Sequence, residues 1–470
     1  MMLTSQTVPV NVMGSGSRTR EFLTAMTDSL GIEQGAAVEV SFTGSGDLPS
    51  VLPVSDFAAA AVAAAGVAVA DFVTAALGAR RRVEVNRRLA SLWFGLSIQP
   101  INWALPAPWD SIAGDYATAD GWIRLHTNAP HHRAAALSVL GVAAERQAVA
   151  AAVAHWKAEE LETAIVGNKG CAAAMRSRSE WKTHPQAEAV IREPLIDARA
   201  TADSGDRLNL SVGERPLQGI RVLDLTRVLA GPVATRFLAG LGADVLRIDP
   251  PTWDEPGVVP DVALGKRCAR LDLRDADDAD TFLALLGRAH VLVHGYRSDA
   301  LDNLGLDARL RHEIRPGLVD ISLDAYGWSG PWRNRRGFDS LVQMSVGIAE
   351  AGMKTLGRDR PTPLPVQALD HATGYLLAAT AARGLREQLE TGRGFEGRTS
   401  LTRVAELLCS APVAVIAGDL RAADEADWSD GVEATDFGTA RRLRSPISIG
   451  NTQLQWDRPA CKLGSALPAW

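Results

Sequence analysis

The sequence predicts an α/β fold built on a doubly wound, parallel sheet, and three observations carry that reading. First, GIRVLDLT (219–226), ADVLRIDPP (243–251), HVLVHGY (290–296) and GLVDISL (317–323) are short apolar runs, as expected of parallel strands covered on both faces. Second, segments with helical spacing separate them. Third, the first two runs flank AGPVATRFLAGLG (230–242), which reads as a helix ended by Gly242, so that strand, helix and strand form one βαβ unit of about 30 residues.

The other elements follow in chain order. Residues 1–50 are mixed, with Gly and Ser clusters and no clear period, and are expected to be irregular. Residues 56–93 carry a helical pattern that ends in the basic run ALGARRRVEVNRR. Within it, FAAAAVAAAGVAVADFVTAAL (57–77) has the length of a membrane span. Asp71 interrupts it and alanine adds little hydrophobicity, so a buried helix is expected instead. Residues 97–120 contain Pro100, Pro106 and Pro108 and read as loop, while DGWIRLHT (120–127) alternates as a strand does. Residues 131–166 read as helices broken at Gly141. Residues 196–215 are polar and low in aromatics, which predicts a linker.

Composition narrows the function classes. With 470 residues, 46% hydrophobic and 22% charged, the chain is ordinary for a globular protein of about two to four domains. A net charge of −6 and the absence of long like-charge blocks give no reason to expect a nucleic-acid partner. Cys171, Cys268, Cys409 and Cys461 are scattered, with no CxxC pair, so neither a metal site nor a disulfide framework is expected and a reducing cytoplasm is. The first twenty residues lack the basic-then-apolar order of a signal peptide.

Two segments of the chain echo each other. LPVSDFAAAAVAAAGVAVADFVTAALG begins at Leu52, and LPVQALDHATGYLLAATAARGLREQLETG begins at Leu364. Aligning Asp56 with Asp370 also aligns Gly78 with Gly392, which suggests an internal duplication. Asp370 itself opens a small, apolar, buried-looking helix. Read locally, it is a helix cap, since an acid suits the positive end of the helix dipole.

A longer run of motifs changes that reading. PLQGIRVLDLTRVLAGPVATRFLAGLGADVLRIDPP resembles the opening of the class III CoA-transferases, the family of formyl-CoA transferase, carnitine CoA-transferase and alpha-methylacyl-CoA racemase. In order, GKRCARLDLR resembles its "GKRSLxLDLK", VLVHGYRSDALDNLGLD its "VLVENFRPGxLDRLGLD", YGWSGPWRNRRGFDSLVQMSVGI its "YGQxGPYxxxxGFDxxxQAxSG", and TGRGFEGRTSL its "TGxGQxVDVSL". The resemblance implies a Rossmann-like domain with a smaller α+β domain. It makes LDHATG (369–374) the nucleophile segment, with Asp370 as the catalytic carboxylate. It implies coenzyme A contacts at Arg227, Leu229 and Ala230 in the turn after the first strand, at Leu271 and Arg274 near the adenine end, and at Tyr296, Ala300 and Asn303 along the pantetheine. Acyl-CoA and a carboxylic acid would be the substrates and no metal would take part. A carboxylate attacking a thioester would give an acyl–aspartyl anhydride, then an aspartyl-CoA thioester, from which the acceptor takes CoA. Water must be kept out, and a helix N-terminus would supply N–H donors to the oxyanions.

DYATADGWIRLHTNAP, RSRSEWKTHPQAEAVIREPLI and RLRSPISIGNTQLQWDRPACKLG resemble later parts of the same family, so their order here is unusual. The expected division is an irregular segment (1–50), a degenerate helix repeat with a small-domain-like portion (51–195), the linker (196–215), the Rossmann-like domain (216–420) and a closing segment (421–470). The family's interlocked dimers imply either a homodimer or a pseudo-symmetric monomer. Several positions depart from the family. Phe338 replaces the racemase histidine, Gly240 an acidic residue and Asn303 a basic one; TWDEPGVVPD replaces "GDxxR", and no glycine-rich lid lies between Ser97 and Asp115. Phenylalanine cannot carry a proton, which disfavours racemisation. His371 reads as an ordinary helix-start residue and Asp56 as a relic. The expected activity is acyl-CoA:carboxylate CoA transfer, and the alternative is a catalytically silent CoA-binding scaffold or regulatory homologue.

Overall fold

The computed structural model describes residues 15–32, 38–78, 80–204, 207–208, 215–297 and 299–470. Its central element is a seven-stranded sheet in the order Lys266–Arg270, Asp244–Asp249, Arg221–Leu225, Val291–His294, Val319–Asp324, Arg393–Ser400, Asp197–Asp203. Neighbours are parallel up to the last pair, which is antiparallel. The first strand of the domain, Arg221–Leu225, lies between the second and the fourth. Chain order therefore reverses there, and a crevice opens beyond the carboxyl ends of the strands, the usual ligand position in open α/β sheets.

The strand Asp197–Asp203 corrects the linker reading. Its register places Asp197 opposite Arg398 and Arg199 opposite Glu396, and both pairs form ion pairs, at 2.8 and 2.6 Å. The segment is polar because it is an edge strand whose cross-strand pairs are charged. Within the predicted linker, residues 205–206 and 209–214 lie outside the described residues.

The predicted loop 97–120 also contains strands. Ile98–Pro100 pairs with Gly438–Leu443, and Gly114–Ala117 pairs with Trp122–Leu125. The helical stretch 56–93 is interrupted by the strand Val83–Asn86, which pairs with Val40–Thr43 and with Ile447–Ile449. The closing segment thus completes sheets that begin in the first half of the chain. The irregular segment contains a helix, Ser15–Ser29, while residues 1–14 are not among those described.

The sequence echo is a structural one. Val54–Leu77 and Ala368–Thr391 are both 24-residue helices. They end on left-handed glycines at φ 68° (Gly78) and 77° (Gly392), where a side chain would be strained. At the same offset, Asn86 caps the next helix by accepting from the N–H of Leu89, and Ser400 does so from Arg403. The two long helices pack against each other inside one core. Val54–Leu77 is long and apolar enough to cross a membrane, but here it is buried in the protein, and its Asp71 pairs with Arg386 of the other helix.

Candidate functional site

A cavity of about 490 Å³ fills the crevice at the reversal of strand order. Each parallel strand around it contributes residues from its carboxyl end: Leu225, Arg227 and Val228 after the first, Asp249 and Pro250 after the second, Gly295 and Tyr296 after the fourth, Asp324 and Ala325 after the fifth. Asp370 and Phe338 close the inner end, and His131 and His132 approach from the first half of the chain.

Asp370 lies in the first turn of the helix Ala368–Thr391 and is 8% exposed. It is not the cap. Gln367 occupies that position, and the cap comes from another helix. Asp339, at the start of Asp339–Ser345, accepts the N–H groups of Leu369 and Asp370 on Oδ2, at 2.8 and 2.9 Å. Its Oδ1 accepts from Gln343 Nε2 at 2.5 Å, and Gln343 Oε1 accepts from the Leu364 N–H at 2.7 Å. The carboxylate of Asp370 has no hydrogen-bond partner among the described residues.

Two carboxyl groups are thus buried side by side with unequal support. Burial pushes the Asp370 carboxyl well above the usual range, and the charge of Asp339 pushes it further. Burial also raises Asp339, to about 6, although Gln343 and the two N–H groups oppose the rise. With three donors on Asp339 and none on Asp370, a single negative charge rests on Asp339 and the proton on Asp370. The expected oxyanion donors are consequently committed: two of the helix N–H groups already serve Asp339.

The helix carrying Asp370 sits close to Ala230–Gly240 because of Gly374. A Cβ there would fall 2.5 Å from the Ala230 carbonyl. His371 points elsewhere. It is buried, stacks on Phe94 at 5.1 Å and is pushed down to about 3 by desolvation.

The positions implied by the resemblance gather around the same cavity. Arg227, Leu229, Ala230, Leu271, Arg274, Tyr296 and Ala300 all line it, together with Asp370. Asn303 does not; its side chain donates to Asp299 at 3.2 Å. Arg227 is held by aromatic faces, 4.4 Å from the Trp253 ring centre and 4.8 Å from that of Tyr296, and its Nε has no partner. Such a guanidinium suits a phosphate. Arg274 is exposed and paired with Asp272 at 2.7 Å. Between Arg227 and Leu229, Val228 adopts φ 64°, a strained value for a β-branched residue, and its N–H donates to Glu255 at 2.8 Å.

The departures from the family have structural reasons. Trp253 and Glu255, where "GDxxR" is missing, respectively stack on Arg227 and anchor the strained turn. Gly240 packs tightly under the closing segment: a Cβ there would lie 3.0 Å from the Trp456 ring, whose Nε1 donates to the Arg236 carbonyl. Phe338 stacks on His126 at 3.6 Å.

Sequence reasoning missed Asp339, although Asp339 and Gln343 stand four apart on one helix inside a motif already singled out. It also missed His126, His131 and His132. Nothing local marks those three, because their neighbours in space lie some two hundred residues away.

Asp56, the counterpart of Asp370, is occupied. It accepts from Thr19 Oγ1 at 2.6 Å and from Arg87 Nε and Nη2 at 3.3 and 3.2 Å. Arg87 also holds Asp47 and the Gly46 carbonyl.

Residues 217–459, just over half of the chain, match CoA-transferase family III. An acyl-CoA transferase of Gibberella moniliformis is 27% identical over 61% of this chain and 54% of its own length. The human succinyl-CoA:glutarate CoA-transferase is 31% identical over 38% of this chain and 44% of its own. The alpha subunit of succinyl-CoA–L-malate CoA-transferase from Chloroflexus aurantiacus is 28% identical over 45% of this chain and 51% of its own. The chain thus spans about half the length of the curated relatives it matches. Among solved structures, Rv3272 from M. tuberculosis is 30% identical, covers 42% of this chain and 57% of its own, and superposes with a TM-score of 0.38. With the ordered motifs, the parallel sheet and the matched residues together, the chain belongs to CoA-transferase family III.

Proposed function

We propose that the protein transfers coenzyme A from an acyl-CoA to a carboxylic acid, with Asp370 as the nucleophile. The observation that carries this reading is the position of Asp370, a buried carboxylate with no side-chain partner at the inner end of the cavity lined by Arg227, Arg274 and Tyr296. A structural aspartate at 8% exposure would be expected to have hydrogen-bond donors. Asp370 has none among the described residues, so once its proton leaves, its oxygens are unencumbered for attack.

In the proposed sequence, Asp370 gives its proton to solvent, its carboxylate attacks the thioester carbonyl, and the C–S bond breaks to give an acyl–aspartyl anhydride and a CoA thiolate. The thiolate attacks the aspartyl carbonyl and releases the acyl group as a carboxylate. The acceptor carboxylate then attacks the aspartyl-CoA carbonyl, which expels the CoA thiolate and leaves an acceptor–aspartyl anhydride; the thiolate attacks the acceptor carbonyl, giving the new acyl-CoA and the free Asp370 carboxylate. Burial keeps water from the anhydride. Asp339 orients the helix start through two N–H bonds and, by its charge, holds the proton on Asp370 until substrate arrives. Two related helices pack as a pair within one chain, which supports a pseudo-symmetric monomer as the working unit.

The test is trapping. The full chain is incubated with acyl-CoA donors, treated with hydroxylamine or borohydride, and digested. Modification on the peptide containing Asp370 is expected. If CoA binds but no donor leaves an adduct, the protein is a silent CoA-binding homologue.

A further inference from the structure

Part of the cavity lining has no role in the transfer chemistry. His132, in the first turn of the helix Pro130–Leu140, lines it and is 4% exposed. Both of its ring nitrogens are buried without a partner. Buried polar atoms are nearly always bonded, and leaving them unpaired costs stability, so two on one ring point to a missing ligand. Desolvation, aided by His131 and Arg336, pushes the ring down to about 3, so it is a neutral imidazole with one N–H to donate.

The neighbours define what that ligand is. His131, ring centre 4.1 Å away, and Arg336 line the same cavity. The Arg336 guanidinium reaches only the Lys169 carbonyl, at 3.5 Å, among the described residues. Adjacent Arg335 is by contrast committed, to Glu162 at 2.8 Å and to the face of Trp332. The helix start adds backbone donors, since Ala129 provides no side-chain cap. A guanidinium with no carboxylate partner among the described residues, an imidazole N–H and open helix N–H groups together suit an anion, and a planar carboxylate best. The place is close to the chemistry. The His132 ring meets Phe338 at 5.9 Å, and the next residue, Asp339, holds the start of the Asp370 helix.

We infer that His132, Arg336 and His131 form a subsite for the free carboxylate of a dicarboxylic acyl group, whose other carboxyl carbon is bonded to CoA and faces Asp370. This rests on the transferase reading and adds the substrate class. The two histidines come from the first half of the chain, and Arg336 and Asp370 from the second, so the subsite forms only where the two halves meet.

The test is binding, so that it does not depend on turnover. Succinyl-CoA and butyryl-CoA have acyl chains of equal length and differ in the terminal carboxylate. Titration calorimetry on the full chain should show succinyl-CoA binding about ten- to a hundredfold more tightly, the worth of a hydrogen bond to a charged group. His132→Phe and Arg336→Met should each reduce that ratio at least about threefold. His132→Gln, which keeps an N–H donor, should retain more of it than His132→Phe. Equal binding by the unaltered protein, or a ratio that neither variant moves, overturns the subsite. If His132→Phe does not fold, the unaltered protein and the partly exposed Arg336→Met decide. A preference that persists while neither donor supports transfer breaks the transferase reading and leaves the subsite standing.

Discussion

The protein contains the same helix twice, and the two copies differ in what surrounds one carboxylate. Asp56 and Asp370 occupy corresponding places, each in the first turn of a 24-residue helix closed by a left-handed glycine. Around Asp56 the fold places Thr19 and Arg87. Around Asp370 it places a cavity and a second carboxylate, and no donor. The first environment makes a structural ion pair, and the second leaves a buried carboxyl without donors among the described residues, a form that costs stability. A conserved helix start is therefore not itself a site. The donors that surrounding segments supply decide which copy forms an ion pair and which faces the cavity unpaired.

This contrast can be broken experimentally. The largest effect is expected for Asp370→Asn, which should lower CoA transfer by about 10⁴-fold or more and abolish the trapped adduct. Asp56→Ala should leave transfer by the folded protein within about twofold. Equal loss from both substitutions would mean that the copies share the work. Next in size, Asp56→Ala leaves the buried Arg87 with only Asp47 and the Gly46 carbonyl as partners, at a cost of about 1–3 kcal/mol in urea unfolding. Combining it with Arg87→Ala should cost less than the two changes summed.

Asp339→Asn keeps an oxygen to accept the two N–H groups but removes the charge. Burial, the larger cause of the raised Asp370 carboxyl, remains, and repulsion by Asp339 disappears. The acid limb of the rate profile should move to lower pH; a shift to higher pH would mean that Asp339 does not act through its charge. The smallest effect is on stability. A carboxyl whose pKa is raised on folding contributes fully below the unfolded value, near 3.8, and its contribution is lost as pH rises through the folded value. Asp370→Asn lacks that loss and should be about 0.5–2 kcal/mol more stable than the parent at pH 8. The advantage should shrink toward pH 4.

Much of this was legible in the chain. The four apolar runs are strands, and the Gly-ended helix between the first two completes the βαβ unit, because strand and helix periods are local properties. The pairing of Asp56 with Asp370 and the cluster of Arg227, Leu271, Arg274 and Tyr296 followed from motif order. Other features were hidden. Asp197–Asp203 looked like linker because cross-strand charge pairs look like any polar stretch until the partner strand is present. Asp370 reads locally as the cap of its own helix because the carboxylate that accepts the helix N–H groups, Asp339, lies on another helix.

By itself the sequence determined the kind of sheet, the duplicated helix, the family and the carboxylate to watch. Each depends on spacing within a few tens of residues or on the order of motifs. The tertiary structure decided the rest. It chose which carboxylate is paired, set Asp339 against Asp370, and brought His132 from the first half to a cavity made by the second. Those outcomes depend on desolvation and on charges from distant parts of the chain, and both act only once the chain has closed around them.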